Sequence, residues 1–466
     1  MRISHLSFLR PRPPSPRPLR RVGGGAPPRR VPFAARVGAF GLLLGSLACA
    51  AAPLRVSPDE IPALEAGLQA TPDDADLRLR FAAALFSAGR CDDARIQAET
   101  AAAQRPDNGV TPLIQGQCLE AEGELAGAVD VYAGYLRQHA DGEGADAVRG
   151  RLLLAQRTLA QLEAREALVR EAELSRQTAV PGTVAVLPVA VLGDLDDRFA
   201  GLSIGLAQML VSDLSLLGDL RLVERTRVNA LLGELALAES GRVDPATAAR
   251  MGRLLRAADL VQGALAVDGS SIELDATVVG PNASTRVDPA ASGPLQALLD
   301  LEKRLALALA DRFSGPLTPA EERRILDNGP GSVDAFLAWA DGLILEERGD
   351  FTAAADAYRQ AVRLDPGFAE ADLAARRAAS ASTVIGRSPT EVVGLGRTAS
   401  QAVSGVSNPG LPAVLRGALH DVASLGPEVT LAGSASTGAL WSPGADQPVP
   451  VLPTDVLLRI LVRIPR

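Results

Sequence analysis

The pentapeptide Gly201–Gly205 has the glycine and serine spacing of a nucleophile elbow, with Ser203 in the nucleophile position. That chemistry needs a sharp turn from a strand into a helix and a histidine later in the chain. Here an acidic loop separates the serine from the preceding apolar run, and the only later histidine is His420. The sequence therefore favours helix packing for this motif, and a serine hydrolase is the least favoured function.

Other reactive side chains are scarce. The chain has three histidines, at His5, His139 and His420, and Lys303 is its only lysine. The chain therefore has few side chains for metal coordination or for histidine-based acid–base catalysis. We expect a non-enzymatic protein with no metal, no cofactor and no small-molecule substrate.

Two short motifs invite a functional interpretation and favour a structural one. Glu224-Arg225 follows a strand-like segment and could form an ion pair in a site, but two strand-end residues that fix the sheet or a subunit contact are favoured. Gly394-Leu395-Gly396 lacks the preceding strand and the third glycine of a nucleotide-binding loop. Neither motif changes the non-enzymatic expectation.

The charge distribution argues against nucleic acid as a partner. The net charge is −8, and residues 1–36 carry nine arginines and no acidic residue, so the remainder is near −17 (−8 minus 9). A chain this acidic lacks the basic surface that binding to nucleic acid needs. We expect protein partners instead.

The elements that must position these residues follow an α/β pattern over residues 180–315. Thr183–Leu192 is apolar and rich in β-branched residues, which is typical of a buried strand. Asp244-Pro245 is a helix start, and Asp268-Gly269-Ser270 is a hairpin turn between two strands. The remaining predicted elements are a helix around Leu202–Leu217, a strand at Leu220–Glu224, a helix at Arg227–Leu237 and a covering helix at Gly293–Phe313.

Four segments of this region carry a family resemblance. They are Val184–Pro188, Gly201–Ala207, Leu222–Arg225 and Leu260–Gly263. In that order they resemble the CsgG-like family of envelope assembly proteins and its relatives in flagellar outer-membrane assembly. The resemblance implies a homo-oligomer with a role in secretion or surface-structure assembly at the outer membrane. Because the loops between the segments are short, we expect a scaffold or accessory factor and not a secretion channel.

A 34-residue period flanks the α/β region. Gly89 and Gly123 are 34 residues apart, as are Ala94 and Ala128. This period, with small residues at fixed places, is the mark of tetratricopeptide repeats. The predicted copies are Ala75–Asn108, Gly109–Gly142 and, beyond the α/β region, Ala335–Phe368. The residues predicted to contact a protein partner are Leu85, Leu119, Tyr132, Leu345 and Tyr358.

Two cysteines fall within the repeats. In the repeat register Cys91 starts one helix and Cys118 lies late in the next, so the two thiols could meet. A disulfide is slightly favoured, and two buried free thiols remain the alternative.

The amino terminus has the pattern of an export signal. A basic leader is followed by the apolar stretch Val37–Leu47, which is too short for a comfortable membrane span. Two outcomes are open: cleavage after Ala50, or lipidation at Cys49, where Ser46-Leu47-Ala48-Cys49 resembles a lipobox. Both predict a periplasmic location, and lipidation adds an outer-membrane anchor.

The sequence thus predicts an α/β plus all-α protein, in which tetratricopeptide repeats flank a compact CsgG-like domain with a mixed sheet. A weakly ordered tail follows, with a terminal strand at Val456–Ile464. The predicted divisions are a leader (1–50), repeats (55–142), a helical cap or linker (143–178), the α/β domain (180–315), a single repeat with flanking helices (320–378) and the tail (379–466). The alternative function is a peptide-binding repeat adaptor in which the α/β domain is a docking module.

Overall fold

The computed structural model describes residues 54–193, 199–235, 244–268, 271–280, 282–287 and 291–397. These residues belong to one compact unit. The predicted signal segment, Cys49, His420 and the predicted strand Val456–Ile464 lie outside the described residues.

Antiparallel helical hairpins form the amino-terminal half. Their turns lie at Gly89 and Gly123, whose φ angles of +75° and +84° belong to the left-handed region that favours glycine. This requirement explains the 34-residue spacing of the two glycines. The helices are α1 (Ile61–Ala70), α2 (Ala75–Ser87), α3 (Cys91–Ala102), α4 (Val110–Glu122), α5 (Leu125–Gln138), α6 (Ala145–Val169) and α7 (Glu171–Leu174).

A mixed, open sheet of seven strands follows in the described part of the chain. Strand β1 (Val180–Val186) runs parallel to both β3 (Arg221–Leu222) and β4 (Ala257–Asp268), and β4 pairs with β5 (Ser271–Val279) in an antiparallel hairpin in which Leu260 lies opposite Val279. Strand β2 extends the parallel pairing along β4, and β6 and β7 pair with β5. The strands are β1 (Val180–Val186), β2 (Ala190–Leu192), β3 (Arg221–Leu222), β4 (Ala257–Asp268), β5 (Ser271–Val279), β6 (Thr285–Val287) and β7 (Ala291–Pro294).

Helices cover both faces of this sheet. Alternate residues of β1 point to opposite sides, so Val184 and Val186 join one core while Ala185 joins the other. The first core includes α8 (Leu202–Ser215) and α11 (Leu298–Ser314), and the second includes α9 (Arg225–Glu234) and α10 (Pro245–Leu254).

The carboxy-terminal helices extend the first of these cores. Phe336, Trp339 and Phe368 are fully buried in it beside the sheet. The hairpin turn at Gly349 again has a positive φ, +81°. The helices are α12 (Pro319–Leu326), α13 (Val333–Glu347), α14 (Phe351–Leu364), α15 (Ala369–Val384) and α16 (Pro389–Gly394), and a 3-10 turn, Leu395–Arg397, follows.

The local predictions agree with most of these elements. Asp244 caps α10 by accepting hydrogen bonds from two backbone amides, and the β4–β5 hairpin forms as predicted. The predicted single strand Thr183–Leu192 is wrong in one respect: it is two strands, β1 and β2, because Pro188 between them has no amide hydrogen for a continuous ladder. The covering helix starts at Leu298 and not at Gly293, since Gly293 pairs with Ile272 in the sheet.

The predicted start of the tail at residue 379 is also wrong. Helix α15 continues without a break to Val384, and Val392 and Val393 of α16 are buried. The Ala, Ser and Val composition of this stretch predicts weak order, but small side chains also suit close helix packing. For example, a Cβ on Gly150 of α6 would lie 2.7 Å from Val384.

Candidate functional site

The glycines of the elbow-like motif are packing positions between α8 and α13. A Cβ at Gly201 would lie 2.7 Å from Cβ of Ala340, and a Cβ at Gly205 would lie 2.8 Å from the Phe336 ring. Ser203 between them is half-buried, and its carbonyl accepts a hydrogen bond from the Val189 amide at 2.9 Å. The spacing of the two glycines therefore has a steric cause that does not involve the serine hydroxyl.

Two of the helical hairpins share a four-residue motif. In the first, Tyr132 of α5 lies against Gly116 of α4, and its hydroxyl donates to Glu120 Oε1 at 2.7 Å. Arg151 of the next helix, α6, pairs with the same Glu120. Glycine, glutamate, tyrosine and arginine thus tie three successive helices together.

The same motif recurs in the carboxy-terminal hairpin. Tyr358 lies against Gly342 and donates to Glu346 Oε2 at 3.1 Å, while Arg377 of α15 lies 3.6 Å from the same oxygen. The spacings match: Glu follows Gly by 4 residues, Tyr follows Glu by 12, and Arg follows Tyr by 19 in both hairpins. The sequence therefore contained a signal for this network that the 34-residue period alone did not reveal.

The second network also receives two arginines from other parts of the molecule. Arg225, at the start of α9, contacts Glu346 at 3.3 Å and also pairs with Glu347. Arg157 of α6 donates to the carbonyls of Glu346 and Glu347 at 2.6 and 2.8 Å. Burial alone would raise the pKa of Glu346, but the charges of Arg377 and Arg225 hold it below its ordinary value.

This network gives Arg225 a structural role. Arg225 lies in the segment that resembles CsgG, and Glu346 lies in the carboxy-terminal hairpin. The ion pair therefore fixes the α/β domain to the helical hairpin. Because Glu346 is only 3% exposed, its charge must be balanced within the fold.

The only lysine lies in a buried polar cluster between α8 and α11. Lys303 Nζ donates to both carboxylate oxygens of Asp213, at 2.8 and 2.6 Å, and lies 3.3 Å from Glu302. Asn328 also donates to Asp213, at 2.8 Å. Burial, followed by the nearby charge of Asp213, raises the pKa of Glu302 well above its ordinary value. The ion pair between Lys303 and Asp213 joins α11 to α8 inside the fold.

Glu370, at the start of α15, lies on the edge of the same region. It accepts a hydrogen bond from Gln208 of α8 at 3.3 Å. Burial raises the pKa of Glu370 to about 7, against the opposing effects of Gln208 and Arg377. This carboxyl therefore changes its charge near neutral pH.

Three of the five residues predicted to contact a partner are buried. Leu85, Tyr132 and Tyr358 are at most 1% exposed, so their assignment to a binding surface is wrong. The physical reason is that they fill the interior of the hairpins. Leu119 and Leu345 are half-buried, and their contact with a partner stays a prediction.

Cys91 and Cys118 form a disulfide that joins α3 to α4, with their Cα atoms 5.8 Å apart. It closes a loop over a sequence separation of 27 residues. A cross-link of this kind restricts the unfolded chain and so stabilises the first two hairpins.

The described ranges contain no group of three or more His, Cys, Asp or Glu side chains arranged to hold a metal ion. Among the helices in these ranges, none combines the length and the apolarity that crossing a membrane requires.

A comparison with protein families matches residues 195–273 to the family described as "Curli production assembly/transport component CsgG". The matched range contains α8, β3, α9, α10, β4 and the start of β5. It is well under half of the 466-residue chain, and it supports the resemblance of the α/β domain, while the tetratricopeptide assignment stays a prediction. No curated protein matches the chain. The α/β domain of this chain is therefore similar to the CsgG family, a likeness that indicates a role in envelope assembly or secretion.

Proposed function

We propose that this chain is a non-enzymatic scaffold or accessory factor in envelope assembly or secretion. It forms a homo-oligomer through its CsgG-like domain and binds protein partners through its helical hairpins, which we assign as tetratricopeptide repeats. The observation that carries the proposal is the family match over residues 195–273, which falls on the helices and strands of the central sheet.

Two features of the described residues support the location and the assembly. The Cys91–Cys118 disulfide is typical of an oxidising compartment such as the periplasm. The sheet is open, with the two-residue strand β3 at one edge and β6 at the other. Unpaired backbone groups at such edges can pair with another copy of a chain.

The test combines fractionation with native mass measurement of the full chain in a bacterial host. Lipidation at Cys49 predicts recovery with the outer membrane, and Cys49→Ser is expected to move the protein to the soluble periplasmic fraction. In both cases the native mass should be a multiple of the 48.3 kDa expected for the chain, less any cleaved leader. A monomer in the cytoplasm would overturn the proposal.

The repeat adaptor is a second candidate, favoured by the helical hairpins on both sides of the sheet. Its apolar surface would include Ile96 of α3, which is 58% exposed. Ile96→Asp should then remove a co-purifying partner while the native mass of the scaffold itself is unchanged. Loss of the oligomer in the same variant would count against the adaptor.

A further inference from the structure

The segment Ser388–Arg397, here called the docked segment, lies on the first helices of the amino-terminal hairpins. It comprises α16 and the following 3-10 turn, and it packs against α2, α4 and the start of α6. Val392 and Val393 are fully buried there, in the same core as Leu113 and Val148. The residues that form this surface are therefore covered by a distant part of their own chain.

Backbone contacts hold the docked segment closely. The Leu54 amide donates to the carbonyl of Gly394 at 2.8 Å, and the Gly109 amide donates to that of Gly396 at 3.2 Å. A Cβ at Gly394 would lie 2.5 Å from the Leu54 oxygen, and one at Gly396 would lie 2.6 Å from the Val110 nitrogen. The Gly-Leu-Gly motif thus has a structural role, because only glycine lets the two backbones lie this close together.

Charge adds a third contact at the end of the docked segment. Arg397 lies 3.4 Å from Asp76 at the start of α2, and its charge also opposes the burial that raises the pKa of Glu143. The contacts of the docked segment are thus made by two adjacent valines, then Gly-Leu-Gly, then a cation.

The docked segment is held by its surroundings and not by its own helical preference. Helix α16 has six residues, and an isolated helix of that length is unstable in water. It is joined to α15 through Gly386, whose φ of +73° marks a turn. The position of α16 therefore depends on its contacts with the amino-terminal hairpins.

We propose that the surface formed by α2, α4 and the start of α6 is a protein-docking site which the docked segment closes in cis. A protein partner would bind by inserting a segment of the same pattern, an apolar helical turn followed by Gly-x-Gly and a cation. This proposal rests on the protein-binding part of the proposed function and gives it a location and a recognition chemistry.

The test uses a fluorescein-labelled peptide with the sequence of residues 387–397 and the purified full chain. Gly394→Ala/Gly396→Ala adds two methyl groups where the backbones touch and should release the docked segment. The matched control is Gly233→Ala, where no described atom lies within 4 Å of the added methyl. We expect the peptide to bind the double variant at least about tenfold more tightly than the wild type or the control, since an internal competitor lowers apparent affinity by the free fraction of the site.

A second variant keeps the test independent of the glycines. Arg397→Glu places a like charge beside Asp76 and should also increase peptide binding, by a smaller factor. A peptide with alanine at both glycine positions should not bind any of these proteins. Equal peptide affinity for the wild type and both folded variants, or no binding to either variant, would overturn the proposal.

Sedimentation of the same samples tests whether a second copy of the chain, and not a separate partner, occupies the docking site. If the wild type dimerises and the peptide dissolves the dimer, the occupant is the docked segment of another copy, and the proposal of a separate partner is wrong. Because these measurements use purified protein, they test the docking site independently of the envelope location. Either proposal can be supported while the other is rejected.

Discussion

At the scale of single residues, Glu370 links the fold to pH. Its carboxyl has a folded pKa of about 7 because it is desolvated between α15 and α8. A glutamate in an unfolded chain has a pKa near 4.3, so the folded state holds the extra proton between about pH 4.5 and pH 7. The stability contributed by this group is therefore present below that window and decreases as the pH rises through it.

Glu370→Gln should reduce this pH dependence. The neutral amide cannot ionise, so the variant should lose less stability than the wild type between pH 4.5 and pH 8. The expected difference is about 1 kcal/mol, less than the full shift would give, because a half-buried carboxyl is partly screened by solvent. Guanidinium unfolding across this pH range measures it.

Glu322→Gln is the control, since Glu322 is exposed on α12. Its unfolding curves should follow the wild type at every pH. A Glu370→Gln protein with the wild-type pH profile would show that this carboxyl does not titrate near neutrality.

At the scale of elements, the predictions that the structure confirms are those that depend on residues close together in the sequence. The Asp244-Pro245 helix start and the β4–β5 hairpin depend on residues close in sequence, and both are present as predicted. The buried position of Tyr132 and the docking of α16 were not predicted. Tyr132 packs on Gly116 of the preceding helix, and α16 packs on helices distant in the chain, and neither contact follows from the local pattern. A tyrosine that covers a glycine has the same sequence pattern as one that faces a groove.

The packing of α8 against α13 separates the two interpretations of the Gly-x-Ser-x-Gly motif. Gly205→Ala should destabilise the protein by about 1–3 kcal/mol, because the new methyl would overlap Ala340 and Phe336. Ser203→Ala should stay within about 0.5 kcal/mol of the wild type, since the motif depends on its glycines. Urea unfolding of both variants gives the comparison.

Gly233→Ala serves again as the control for adding a methyl group to a helix, here on the exposed side of α9. It should be neutral or slightly stabilising. A Gly205→Ala protein as stable as this control would refute the packing interpretation, and loss of an esterase activity in Ser203→Ala would restore the hydrolase.

At the scale of the whole molecule, α6 connects the two halves. Its first turns, with Ala147 and Val148, belong to the core of the amino-terminal hairpins, whereas Ala164 near its end belongs to the core beneath the sheet. Between them, Leu153 packs with Phe351 and Ala381 of the carboxy-terminal helices. One continuous helix thus takes part in three cores, so we expect the described part of the chain to unfold as one cooperative unit.

Breaking α6 at its middle should therefore separate these halves. Thr158 is exposed, so Thr158→Pro removes no side chain from a core. Proline lacks the amide hydrogen that bonds within the helix, and its ring clashes with the preceding turn. We therefore expect the substitution to destabilise the fold by about 3 kcal/mol or more. We expect calorimetry to resolve two transitions in place of one, because the hairpins and the sheet lose their common helix. Thr158→Ala keeps the helix and should retain a single transition near the wild-type midpoint. A single transition in Thr158→Pro, with equal calorimetric and van't Hoff enthalpies, would mean that α16, which packs on the amino-terminal hairpins, couples the halves without α6.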